Sequence, residues 1–142
     1  MRRTERGVTL VEVLVAFLIS GLALAGMVSG YVFANTSAEK FALSLAANAQ
    51  ASQMMEQMRS ATWDTSSYPV VDDLTASNFP NQVVTLELTA NGTNVIYATN
   101  FPQITTISSN PPLRRIRVDT VWCYRGYQVW TNTIETCRAP DQ

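Results

Sequence analysis

Hydrophobic positions divide the chain into three parts. From Val13 to Ala38 there are 26 consecutive residues without Asp, Glu, Lys or Arg. As a helix that run would extend about 39 Å at ~1.5 Å per residue, enough to cross a hydrocarbon core of about 30 Å. Arg2, Arg3 and Arg6 precede it and only Glu39 and Lys40 follow closely. The positive-inside bias therefore leaves the N-terminus in the cytoplasm and the rest of the chain outside.

The second part, Glu39 to Thr62, contains no Gly or Pro and is rich in helix formers. Phe41, Leu45, Ala49, Ser52, Met55 and Met58 recur at three- and four-residue spacing, which predicts one buried face of a continuing helix. Core packing against a sheet explains the methionines better than a cofactor or peptide face. Trp63 to Pro69 ends the helix, and residues 63–81 read as a connecting loop closing at Phe79-Pro80-Asn81.

Period-two alternation marks the third part. Val84, Leu86 and Leu88 share a face, Asn91-Gly92 signals a hairpin, and Val95–Thr99 follows as a strand. After Asn110-Pro111-Pro112, the run Leu113–Trp122 turns Ile116, Val118, Thr120 and Trp122 inward and Arg115, Arg117 and Asp119 outward. Arg125-Gly126 then turns the chain into Tyr127–Thr136. Arg114, Arg115 and Arg117 read as a solvated sheet face near Asp119 and Glu135, with a subunit contact as the alternative. An α+β fold results: one long helix, half in lipid, packed on a small antiparallel sheet.

Composition narrows the chemistry. The 142 residues are 46% apolar and only 15% charged, and 10 basic against 11 acidic residues leave a net charge of -1. No basic field exists to hold nucleic acid. Histidine is absent, which removes Ser/His/Asp and Cys/His nucleophilic sites and the usual zinc sites. No phosphate loop, nucleophile elbow or metal-ligand spacing appears, so neither an enzyme nor a cofactor is expected. Asp72-Asp73, without further oxygen ligands, reads as a solvated turn rather than a calcium site.

Glu12 stands out against this background. It interrupts the apolar run five residues past Gly7, where an ionised carboxylate costs roughly 2.5 kcal/mol or more on insertion scales and needs a partner. A cleavable secretory signal ending at Ala23-Leu24-Ala25, or a plain anchor, would leave it unexplained. Cleavage after Gly7 would instead make Val8 a cationic N-terminus that Glu12 of a neighbouring subunit could neutralise.

Gly7-Val8-Thr9-Leu10-Val11-Glu12-Val13-Leu14-Val15-Ala16 resembles the cleavage and methylation segment of type IV pilins and type II secretion pseudopilins. The resemblance implies a leader over 1–7, removed by a prepilin peptidase that methylates Val8. It further implies a membrane and assembly helix over 8–38, its amphipathic half over 39–62, a loop over 63–81 and a sheet head over 82–142. Glu12, Thr9 and Leu10 become the assembly residues. The expected partners are sibling pilin or pseudopilin subunits, the peptidase, inner-membrane lipid and the assembly platform. Where this group often carries a membrane proline, Gly21, Gly26, Ser29 and Gly30 are the weak points, and Gly26 and Gly30 form a Gly-x-x-x-Gly pair suited to close helix packing. A short head with a closing hairpin is similar to the minor subunits.

Cys123 and Cys137 divide the argument. Export favours a disulfide, and C-terminal bridges are familiar in pilins. A two-residue hairpin at Arg125-Gly126 would instead pair Cys123 with Gln128 and place Cys137 opposite Arg114. The sulfurs would then sit about 30 Å apart at ~3.3 Å per residue, far beyond the ~7 Å Cα limit.

Overall fold

The computed structural model describes residues 9–88, 95–124 and 126–141. Helix α1 runs unbroken over 51 residues, Leu10–Ser60. The strands are β1 (Trp63–Asp64), β2 (Val71–Asp72), β3 (Gln82–Leu88), β4 (Val95–Ser109), β5 (Pro112–Tyr124) and β6 (Gln128–Arg138). The chain divides into two compact units, Met1–Glu39 and Lys40–Gln142, and the class is the expected α+β.

In the first unit, every described side chain from Leu10 to Val32 is exposed. This is a helix long and apolar enough to cross a membrane. Within the chain, a Cβ on Gly21, Gly26 or Gly30 would meet nothing within 4 Å. No intramolecular close approach therefore demands those glycines.

In the second unit, β3, β4, β5 and β6 form an antiparallel sheet in that order, beside a small β1–β2 ribbon. Two clusters join it to the helix. Leu43 and Ala47 pack with Ala98, Trp122 and Tyr124. Ala51, Met54, Met55 and Met58 pack with Trp63, Leu74, Ile116 and Val118. The alternation in β5 is as expected, with Ile116, Val118, Thr120 and Trp122 buried and Tyr124 completing the row.

The helix face needs correction. Met55 and Met58 are buried, but Phe41 is 76% and Leu45 72% exposed, and Ala49 and Ser52 also face outward. At ~100° per residue, Phe41 and Leu45 lie about 100–140° from the centre of the buried stripe. That stripe starts at Leu43 and runs through Ala47 and Ala51, both fully buried. Small helix residues let the backbone approach the sheet, and the sheet supplies the bulk from Trp122 and Tyr124.

Other departures are local. β4 continues to Ser109, pairing with β5 from Ala98↔Trp122 to Ser109↔Pro112. Pro102 lies beyond Asn100, the last β4 residue paired with β3, where β4 is bordered by β5 alone among the described strands and a strand proline is tolerated. A bulge between Thr85 and Glu87 breaks the β3 register. The Leu88 side chain and the Asn91-Gly92 turn lie outside the described residues. The β5–β6 ladder pairs Tyr124 with Gln128 and Cys123 with Val129, one residue out of the expected register. Segment 63–81 is more than a connection, because Trp63 and Leu74 are core residues.

Overpacking and surface truncation should therefore separate. Ala51→Leu is expected to destabilise the head by about 1–3 kcal/mol, whereas Phe41→Ser should change it by no more than ~0.5 kcal/mol. Urea unfolding of the detergent-solubilised protein, followed by near-UV circular dichroism, measures both.

Candidate assembly site

Three residues start the long helix. Thr9 is the N-cap: its hydroxyl accepts a hydrogen bond from the Glu12 amide at 3.3 Å. Glu12 replies with Oε2, which accepts from the Thr9 amide at 3.0 Å and the Thr9 hydroxyl at 3.1 Å. This reciprocal arrangement is a capping box, and the Thr-x-x-Glu spacing that encodes it was legible in the sequence. It satisfies amides that begin a helix without an internal partner. Leu10, the first helical residue, points outward and is 77% exposed. Gly7 and Val8 lie outside the described residues.

The box gives Glu12 a fixed place. Both bonds from Thr9 fall on one carboxylate oxygen, Oε2. The group is held at the mouth of an apolar, outward-facing helix rather than free to rotate away. Thr9 and Glu12 are thus joined within one chain, with Leu10 between them.

The head holds its charged groups differently. Arg114, expected on a solvated face, has the parity of Ile116 and turns toward the core instead. It grips Asp72 through both oxygens at 2.7 and 2.6 Å, donates to the Leu74 carbonyl at 2.8 Å, and lies 4.3 Å from the Trp63 ring centroid. Arg115 and Arg117 do face outward, with Arg117 on Asp119 at 3.0 Å. Asp72 is thus an ion-pair partner tying the β1–β2 ribbon to the sheet. Among the described residues, no three His, Cys, Asp or Glu side chains converge to hold a metal.

The two thiols are free. Cys123 stands opposite Val129 and Cys137 opposite Arg115, at far ends of one hairpin. The bridge suggested by export is therefore corrected: eight residues of extended strand from Val129 to Cys137 span roughly 26 Å at ~3.3 Å each.

Several carboxylates are tuned by these contacts. The Arg114 guanidinium holds Asp72 below the usual carboxylate range and is itself raised by Asp72. For Asp119, burial pushes upward, but the Thr133 hydroxyl and Arg117 outweigh it and the net shift is down. The Trp63 amide, then Arg138, lowers Asp141.

Comparison with known proteins bears on the helix. Residues 2–28 match the family described as the prokaryotic N-terminal methylation motif. The chain carries the prepilin-type signal of type IV pilins and pseudopilins, and its long helix and antiparallel strands form a pilin-like α+β architecture. No curated protein and no solved structure matches it.

Because Asp72 titrates lower when folded than when unfolded, its contribution is present above about pH 4 and is lost as pH falls through its folded value. Arg114→Met should lower head stability by about 2 kcal/mol at pH 7, as expected for charge-assisted hydrogen bonds left unmade. It should also flatten the loss of stability on acidification. Urea titrations at neutral and acidic pH would show an unaltered acid limb if Asp72 drew nothing from Arg114.

Proposed function

We propose that this protein is a minor subunit of a type IV pilus or a type II secretion pseudopilus. A prepilin peptidase cuts after Gly7 and methylates the new N-terminus at Val8. The helix inserts in the inner membrane with its start on the cytoplasmic side and the head outside. Subunits then pack their helices side by side, and Glu12 of one neutralises the terminal amine of another.

The observation that carries this reading is Glu12 itself. An acid at the mouth of a bare apolar helix is costly in lipid, and a neighbouring amine converts that cost into an attraction between subunits. N-methylation leaves the amine cationic, so the pairing survives modification. The capping box supports the role by fixing the carboxylate before any partner arrives. Cleavage does not disturb it, since the Thr9 amide persists as the second residue's peptide N–H. Exposed Leu10, Leu14, Phe17 and Leu18 offer the apolar surface that lateral packing would cover. The motif class is structural rather than catalytic. The brief head with its closing β5–β6 hairpin favours a minor subunit.

Two measurements test the proposal. Mass spectrometry of the mature protein should find Val8 as the N-terminus, whereas a conventional signal peptide would leave Gly26. Glu12→Gln retains an acceptor for the Thr9 amide, so membrane insertion and helicity should survive while incorporation into filaments is lost. Incorporation of Glu12→Gln at the native level would refute the charge pairing.

A further inference from the structure

Both outer strands of the four-stranded sheet, β3 and β6, are open along one side among the described strands. Neither Gln82–Leu88 nor Gln128–Arg138 contains a proline or a lysine, residues that commonly blunt such an edge. The β5–β6 pairing runs without a register shift from Arg114↔Arg138 to Tyr124↔Gln128, so no bulge interrupts the row of N–H and C=O groups that β6 presents. Gln128, Val129, Trp130 and Thr131 are exposed on both faces of the sheet, whereas from Asn132 onward every second residue is half-buried. A strand of this kind is a template for another strand.

The registers say which strand fits. Val84, Ala98, Trp122 and Trp130 stand in one row across the sheet, on the side where Ala98 and Trp122 pack against α1. Trp130 stacks on Trp122 with centroids 6.2 Å apart. That row ends at half-buried Val84 on one edge and at Trp130, 47% exposed, on the other. On the opposite face Val83, Thr99, Val121 and Thr131 form the adjacent row, and Val83 is 67% exposed. Hydrogen-bonded and non-hydrogen-bonded pairs alternate across an antiparallel sheet. With four strands, the two end residues of any row therefore point their N–H and C=O groups alike, both inward or both outward. β3 and β6 also run in opposite directions. The two edges are thus complementary in direction and in hydrogen bonding when their rows are level.

We infer that β6 of one copy pairs antiparallel with β3 of a second copy, Thr131 against Val83, Trp130 against Val84 and Val129 against Thr85. The rows then run on from one sheet into the next, and Trp130 and Thr131 each gain a β-branched neighbour. The paired stretches, Gln128 to Asn132 and Gln82 to Leu86, carry no charge, so no like charges oppose. A two-fold pairing of β6 with itself, centred on Thr133, sets Trp130 against Thr136 and Gln128 against Arg138, which gives Trp130 no apolar partner. Equivalent strands of the two copies stand four spacings apart, about 19 Å at ~4.8 Å each, which leaves room for a helix some 10 Å wide over each sheet. The contact is heterologous, with a free β3 at one end and a free β6 at the other, so it repeats. Five residues a side bury far less than the roughly 1,200–2,000 Å² of a stable interface. The pairing therefore needs copies already held side by side, and in this it rests on the proposed membrane insertion and filament.

Disulfide trapping provides the test. The full chain with Val83→Cys, Thr131→Cys, Cys123→Ser and Cys137→Ser is produced in a bacterial inner membrane and treated with a mild thiol oxidant. Within one chain the two positions lie on opposite edges, about 14 Å apart at ~4.8 Å per strand, beyond the ~7 Å Cα limit. Every bridge therefore joins two chains. Each chain offers two different edges, so the expected product is a series of dimers, trimers and longer species. Chains with only one of these cysteines should stay monomeric alone and give dimers, and nothing longer, when produced together. Dimers of a Thr133→Cys chain without that series overturn the inference in favour of β6 pairing with itself. Bridges from Thr131→Cys to other proteins alone overturn a second copy as the occupant. A chain kept in carbonate-washed membranes but never bridged overturns the pairing and leaves insertion standing. A chain washed off yet bridged in series overturns insertion and supports the pairing. Thr85→Cys with Val129→Cys repeats the measurement should the first pair unfold the head.

Discussion

This chain carries more apolar helix surface than its own sheet can cover. A strand rises roughly 3.3 Å per residue and a helix about 1.5 Å, so a strand the length of β5 reaches along some 28 helical residues at most. The sheet is spent on Leu43 to Met58. Among the described residues, every side chain from Leu10 to Val32 is exposed. An outward apolar surface of that extent is matched by lipid or by other helices.

Within the head, packing and polar ties share the work of holding the sheet to the helix. Asn132 donates to the Ser44 hydroxyl at 2.9 Å and to Asn48 Oδ1 at 3.0 Å, and accepts the Trp122 indole N–H at 2.8 Å. At the other end Arg138 donates to the Met58 carbonyl at 3.2 Å, where the last helical carbonyls lack internal partners. Asp141 and Trp63 exchange bonds, the Trp63 amide to the carboxylate at 2.8 Å and the Asp141 amide to the Trp63 carbonyl at 2.7 Å. These contacts fix rotation and height, which an apolar interface of alanines and methionines leaves loosely specified. The buried Asn100–Thr120 hydrogen bond, 2.6 Å, does the same between β4 and β5.

Much of this was legible because period and hydrophobicity agreed. In β5 each alternate residue from Ile116 to Trp122 is apolar or small, so register and face were readable. The helix face was misread because alanine carries little hydrophobic weight. What places Ala47 inside is the bulk of Trp122 and Tyr124 in its cluster, and what places Ala51 inside is the cluster it shares with Ile116 and Val118, both partnerships of distant sequence. β4 beyond Thr99 was hidden by Asn100 and Pro102, one satisfied by Thr120 and the other lying beyond the last residue paired with β3. Arg114 looked like its neighbours Arg115 and Arg117 until Asp72 and Trp63 were brought to it. At the helix start, Thr9 and Glu12 were singled out for a role between chains. Their capping box, purely local, went unread although the spacing displays it.

That local role bears on the assembly reading. A carboxylate that caps its own helix is engaged through one oxygen, so a second bond from a neighbour's amine adds to the cap rather than competing with it. Before cleavage, by contrast, the residue ahead of Thr9 is joined to Gly7 by a neutral peptide bond, and the nearby cations are Arg2, Arg3 and Arg6 of the leader. Proteolysis after Gly7 would remove Arg2, Arg3, Arg6 and Glu5 and place a terminal amine at the helix start, beside the position where the proposed pairing uses it. A cation there opposes the helix dipole of its own chain, which makes an anion supplied by another chain more valuable. On the proposed reading, the processing step would do more than shorten the chain: it would make the charge that lateral packing of the helices calls for.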